Sequence, residues 1–205
     1  KFRNPEGGTG LLFAVESLDL QEELRVIEAS LEPTLRRIVI PAEIRISHPI
    51  NTRGFYHVNP NYLWLFAFLS EVEFELSEQV ERIYCVLNSN VIVALLENAF
   101  SWGNKRNPRR PILVDFHVGR TGVLVRIQDD GPGFAYRHVV GKYHDQDFGD
   151  CGEFENTGYG LRIMDRTPMS VIYEGKGDTV YIIDYFREGA VPHFSLPGQQ
   201  ALHKV

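Results

Sequence analysis

Two alternating strands joined by a short turn restrict this chain more than any other feature. ILVDFHV (112–118) and VLVRIQD (123–129) alternate in hydropathy on either side of Gly119-Arg120-Thr121-Gly122, which is the pattern of a β-hairpin. SVIYEGKGDTVYIIDYF (170–186) repeats it, turning at Gly175-Lys176-Gly177-Asp178. Upstream the periodicity is helical. Leu20, Leu24, Ile27 and Leu31 recur among acids and predict an amphipathic helix from about 18 to 32, with a short continuation to Arg37. Asn59-Pro60 opens a helix carrying Tyr62, Trp64, Phe66 and Phe68, and Ser77 caps another that reaches about Trp102, where Gly103 and Pro108 stop it. Helices followed by antiparallel hairpins indicate the α+β class: a two-layer sandwich whose mixed, mostly antiparallel sheet is covered on one face by helices.

The opening residues KFRNPEGGTGLLF read as irregular, and IVIPAEIRISHPI (38–50), broken by two prolines, reads as an edge strand. Residues 135–157 are a long polar stretch without clear periodicity, of the kind that is functional inside a compact domain. The expected organisation is an N-terminal extension over 1–45, one domain over 46–186 and a tail over 187–205.

Composition excludes several classes. A formal charge of −6, from 27 acids against 21 bases, argues against direct nucleic-acid binding as the main task. No apolar run approaches the roughly 20 residues of a membrane span, and no charged-then-apolar leader is visible, so a cytoplasmic protein is expected. Cys85 and Cys151 belong to no paired motif and read as reduced thiols. No Cys or carboxylate set around His138 and His144 has a metal-binding spacing, so both read as solvated polar residues.

Three motifs carry chemistry. Asp129 stands at the end of an alternating strand and leads into Asp130-Gly131-Pro132-Gly133-Phe134. A carboxylate fixed there accepts a hydrogen bond from an exocyclic amine, and the glycines let a flat ring approach the backbone. Gly158-Tyr159-Gly160-Leu161 opens a helix and exposes free N–H groups at its positive end, a phosphate site. Asn98 lies beside a stripe of Leu95, Ala99 and Trp102, with Glu97 about 100° further round. Its amide oxygen suits Mg²⁺, which takes few protein ligands when it bridges phosphates.

Taken together, these motifs resemble the GHKL (histidine kinase-like, Bergerat fold) ATPase superfamily: an N box at Asn98, then two glycine boxes. NAFSWGNKRNP and DDGPGF look most like the bacterial anti-sigma-factor serine kinases, and the resemblance covers about residues 60 to 186. It implies ATP and Mg²⁺ as cofactors. Asp129 would read the adenine amine with Thr179 beside it through water, and Gly131 and Gly133 would shape the base pocket. Asn98 would hold the metal, Gly158, Gly160 and Leu161 would offer N–H groups to the phosphates, and Lys105 would add a phosphate contact. The 135–157 stretch becomes a lid, with Asp145, Asp147, Asp150, Glu153 and Glu155 expected to face solvent.

The implied partner is a protein in a signalling pathway, a sigma factor or an anti-sigma antagonist, and a homodimer is compatible with the resemblance. In the hydrolysing and serine-kinase branches a Glu four residues before the Asn is the general base. Ala94 holds that position here, and Ser101 stands where histidine kinases carry a Lys or Arg. No helix bears a phosphoacceptor His. Two further readings therefore stay open: a non-catalytic, nucleotide-gated binding module, and an ATPase domain that serves a separate histidine acceptor.

Overall fold

The computed structural model describes residues 11–14, 17–39, 63–79, 83, 86–87, 90–144, 161, 163–164, 167 and 169–186. Its centre is a six-stranded sheet in the order β1-β5-β6-β4-β3-β2. The strands are β1 (Leu11–Ala14), β2 (Leu35–Val39), β3 (Ile112–Val118), β4 (Gly122–Asp129), β5 (Ser170–Glu174) and β6 (Thr179–Tyr185). Both expected hairpins form, and β4 pairs with β6 to join them, with Ile127 opposite Val180. Among the described strands only β1 runs parallel to its neighbour, β5. The α+β sandwich with a mixed, mostly antiparallel sheet is the observed fold.

Strand parity divides the sheet into two faces. Val123, Val125 and Ile127 of β4, Val171 and Tyr173 of β5, and Val180 and Ile182 of β6 enter the larger core. There they meet α2 (Leu63–Glu75) through Trp64, Leu65, Phe68 and Val72, and α3 (Asn90–Asn98) through Val91, Ile92, Leu95 and Leu96. Ser77–Gln79 forms a single 3-10 turn rather than the first turn of a long helix. The alternate positions Leu124, Ile172, Tyr181 and Ile183 form a second, smaller core with Leu18, Leu24 and Ile27. The expectation of helices on one face is thus incomplete, because α1 (Leu20–Val26) covers part of the other.

The N-terminal expectations need correction. Leu11–Ala14 is not irregular but forms β1, a pairing between residues about 160 positions apart that local pattern cannot reveal. The helix predicted from 18 to 32 stops at Val26 with Ile27 as its cap. Asp19 caps its start by accepting from the Glu22 N–H at 3.0 Å. Glu28 then turns to φ 57° and the Ala29 N–H returns to the Leu24 carbonyl, so the chain cannot continue as helix. Leu31, which continues the helical spacing, is 60% exposed. Leu35–Val39 is a strand on the sheet edge rather than a helical continuation, and residues 40–50 lie outside the described residues.

The β3–β4 turn holds α1 in place. A Cβ on Gly119 would lie 1.8 Å from the Ile27 carbonyl oxygen, so only glycine allows this approach. The Thr121 hydroxyl donates to the Val26 carbonyl at 2.8 Å, and Arg120 grips Glu28 with two hydrogen bonds. A third correction concerns residues 135–157. Their first part is α4 (Tyr136–His144), with Tyr136, Val139 and Val140 buried in the larger core, a spacing hidden among polar neighbours. Residues 145–160, and with them the acidic lid residues, lie outside the described residues.

Truncating the fully buried Leu124 tests the second core. Leu124→Ala is expected to lower stability by about 2–5 kcal/mol in urea denaturation. Because its side chain points away from α3, the packing around Asp129 should be retained in the folded variant.

Candidate functional site

Parity also places Asp129. It follows Val123, Val125 and Ile127 on the face covered by α3, at the mouth of that core. Its Oδ1 accepts the Gly131 N–H at 2.8 Å, so the glycine box begins by bending back on the carboxylate. On the other side lies the turn that ends α3. A Cβ on Gly103 would stand 2.3 Å from the carboxylate carbon, and one on Gly131 would stand 2.1 Å from the Gly103 carbonyl. Both positions require glycine because two backbones and a carboxylate share the space.

Burial is the main reason that Asp129 is pushed up to about 6; the Gly131 N–H opposes the shift and the nearby Asp178 charge adds to it.

The last residues of the N-box helix do not continue as α-helix. Ala99–Gly103 form a π turn, closed by Asn104 N–H to the Ala99 carbonyl at 2.8 Å. Leu95 and Ala99 are buried as the stripe predicts, but the wider turn swings Trp102 out to 58% exposure. Trp102 therefore does not belong to that stripe.

Asn98 closes α3 and is half-buried, and its side-chain amide lies beside the buried Tyr173 phenol of β5, whose hydroxyl donates to Met164 Sδ at 3.5 Å. Burial holds Tyr173 far above the ordinary tyrosine range, so the phenol keeps its proton. Tyr173 sits edge-on to Phe134 with ring centres 5.4 Å apart, and 6.3 Å from Tyr136. Tyr173 thus lies near both Asn98 and Asp129, with the Phe134 and Tyr136 rings against it.

Ala94, one turn before Asn98, packs against the larger core. Glu97 is not a solvated flank. Ser101 donates to its Oε1 at 2.5 Å, its Oε2 is buried without a partner, and burial raises its pKa. The described residues contain no group of three or more metal-binding side chains. Asn98 would suit a magnesium ion whose other ligands came from phosphate and water, since its amide oxygen has two lone pairs.

The remaining sequence-predicted residues divide. Gly133, at φ 78°, packs against the Lys176 carbonyl, where a Cβ would lie at 2.1 Å. Its role is to interlock the glycine box with the β5–β6 turn, reinforced by Phe134 N–H to Lys176 carbonyl at 3.0 Å. Leu161 is helical and buried in the larger core. Lys105 is exposed in the turn after Gly103 at φ 54°. Gly158 and Gly160 lie outside the described residues.

Thr179 shares the sheet face of Tyr181 and Ile183, opposite to Asp129, and its hydroxyl lies 3.5 Å from Asp178 Oδ1. The residues that flank Asp129 are instead Asp178, whose carbonyl accepts the Asp129 N–H at 3.0 Å, and Lys176, whose Nζ reaches the Gly131 carbonyl at 3.0 Å and Asp178 at 3.1 Å. The parity of TVYII carried that signal: with Val180 inward, Thr179 must point outward.

A raised carboxylate has consequences of fixed sign. Below pH 4 Asp129 is protonated folded or unfolded; between pH 4 and 6 only the folded chain holds the proton. Stability contributed by this group is therefore full at acid pH and is lost as pH rises through about 6. Carbon-detected NMR of the Asp129 carboxyl should show a midpoint near 6, and one near 4 would refute the buried geometry.

Among the described residues no helix is long and apolar enough to cross a membrane. No curated protein and no solved structure matches the chain. Residues 90–183, from α3 through nearly all of β6 and including Asn98, Asp129 and both hairpins, match the family model of the histidine kinase-like ATPase domain.

Proposed function

We propose that this chain binds ATP with Mg²⁺ and uses it to regulate a protein partner, in the manner of an anti-sigma-factor serine/threonine kinase. The observation that carries the proposal is Asp129, a half-buried carboxylate walled by the Gly103 and Gly131 backbones at the mouth of a core roofed by the Asn98 helix. An anionic carboxylate accepts a hydrogen bond from the 6-amino group of adenine and repels the 6-carbonyl of guanine. The Phe134 and Tyr173 rings supply an apolar surface beside it. Asn98 would hold magnesium through its amide oxygen, and the ion would supply charge neutralisation for the phosphates.

Transfer of the γ-phosphoryl group to a serine or threonine forms an O–P bond, breaks the bond to the β-phosphate, and needs a base for the hydroxyl proton. Ala94 supplies none, and Glu97 is turned to Ser101. Ala94 specifically favours a second reading, a non-catalytic module whose partner surface changes when ATP binds. A separate histidine acceptor is the third reading, because a neutral imidazole nitrogen attacks without first losing a proton.

Calorimetry and γ-labelled ATP separate these. Wild type should bind ATP, and Asp129→Ala should bind it about tenfold to hundredfold more weakly. Undiminished binding by Asp129→Ala would sink the adenine assignment. Turnover that is present in wild type and absent in Asn98→Ala would establish a kinase or ATPase. Acid-stable phosphoprotein would indicate a hydroxyl acceptor and acid-labile phosphoprotein a histidine. Turnover gained only in Ala94→Glu would establish the module.

A further inference from the structure

Asn104 lies inside the polar run GNKRNP, where solvation is the ordinary expectation, yet it is fully buried. Its side chain spends nearly all of its hydrogen-bonding capacity on two separate stretches of backbone. Nδ2 donates to the Arg110 carbonyl at 3.0 Å and to the Pro111 carbonyl at 3.1 Å, which fixes the loop to the start of β3. Oδ1 accepts the Asp130 N–H at 2.9 Å, which fixes the residue after Asp129. The Asn104 main-chain N–H closes the π turn onto Ala99. One amide therefore ties the end of the N-box helix to the first glycine box. It does so one residue from Gly103, whose backbone forms a wall of the Asp129 carboxylate.

We infer that Asn104 is the positioning residue of the base site: it holds the Gly103 wall and the Asp130 N–H in register, so that Asp129 faces the base edge at one fixed place and angle. The inference rests on the nucleotide reading above. It adds a residue that touches no ligand and acts only through Asp129. No other side chain type repeats the pattern. Aspartate keeps the acceptor for Asp130 but loses both donors and sets a negative oxygen against two carbonyls. Serine reaches at most one of the three partners. When the wall loosens, water reaches the carboxylate and its direction is no longer set, so discrimination between an amino and a carbonyl group at the base edge fails along with affinity.

The test compares wild type, Asn104→Ser and Asn104→Asp with Leu124→Ala, a variant destabilised in the core on the opposite sheet face. Each is first shown to be folded by its NMR dispersion at the working temperature. ATP and GTP affinities are then measured by calorimetry and the Asp129 carboxyl is titrated by NMR in the nucleotide-free chain. Asn104→Ser is expected to lose about tenfold or more in ATP affinity, to bring the ATP-to-GTP ratio towards one, and to move the Asp129 midpoint down towards the usual carboxylate range. Leu124→Ala should do none of these. Asn104→Asp should show the same losses of affinity and discrimination, which carry the test if the serine variant does not fold; its added carboxylate opposes a fall of the Asp129 midpoint, so that readout belongs to the serine variant.

Wild-type affinity, discrimination and Asp129 midpoint in a folded Asn104 variant would overturn the inference. So would the same losses in Leu124→Ala, since the effect would then be one of general stability. If wild type binds no ATP, the nucleotide reading fails by itself, and the Asp129 midpoint alone decides the role of Asn104.

Discussion

A carboxylate wedged between two glycine backbones sets the terms for the rest of this structure. Asp129 is held where water is scarce, and ionising it there is costly enough to raise its pKa to about 6. Removing a charge from water is tolerated in folded proteins when hydrogen bonds replace part of the hydration. Here the Gly131 N–H provides one such bond. In the function proposed above, a base amine would donate to the acceptor face left over and supply the missing hydrogen bond, so that the cost borne by the free protein would become part of the selectivity for ligand.

Holding that geometry falls to segments far apart in the sequence. The π turn brings Gly103 against the carboxylate, Asn104 secures the turn to the loop after β4, and Gly133 and Gly177 mesh the glycine box with the β5–β6 turn. Lys176 closes the assembly through the Gly131 carbonyl and Asp178. On the far face, α1 and its small core stiffen β4, β5 and β6 from behind. That arrangement gives the N-terminal residues a concrete structural task, because Leu18, Leu24 and Ile27 cover apolar positions that the sheet would otherwise leave to water.

Much of this was legible in the sequence, and for physical reasons. Period-two alternation located both hairpins, because it is local and successive side chains point to opposite faces of the sheet. It also put Asp129 at a strand end. The helical stripe around Leu95 and Ala99 pointed to Asn98. What escaped depends on distant partners. The parallel pairing of Leu11–Ala14 with β5 has no local signature. Glu28 breaks α1 by taking a left-handed backbone that no residue at that position advertises. The π turn arises from docking Gly103 on the glycine box, so Trp102 left a stripe it seemed to belong to. Asn104 looked like a loop amide because its three backbone partners converge only in the fold. Thr179 is different: strand parity was sufficient to place it on the face opposite to Asp129.

The central claim is that one site, bounded by Asn98, Gly103, Asp129 and Gly131 on the α3-covered face of the sheet, receives a nucleotide. Amide chemical-shift mapping with ATP and Mg²⁺ tests it most directly. The account predicts saturable shifts at the Asn98 side-chain amide and at the Gly103, Asn104, Asp130 and Gly131 backbone amides, with α1 and its facing residues Leu124 and Ile183 unmoved. Shifts centred on α1, or none at any ATP concentration, would contradict it.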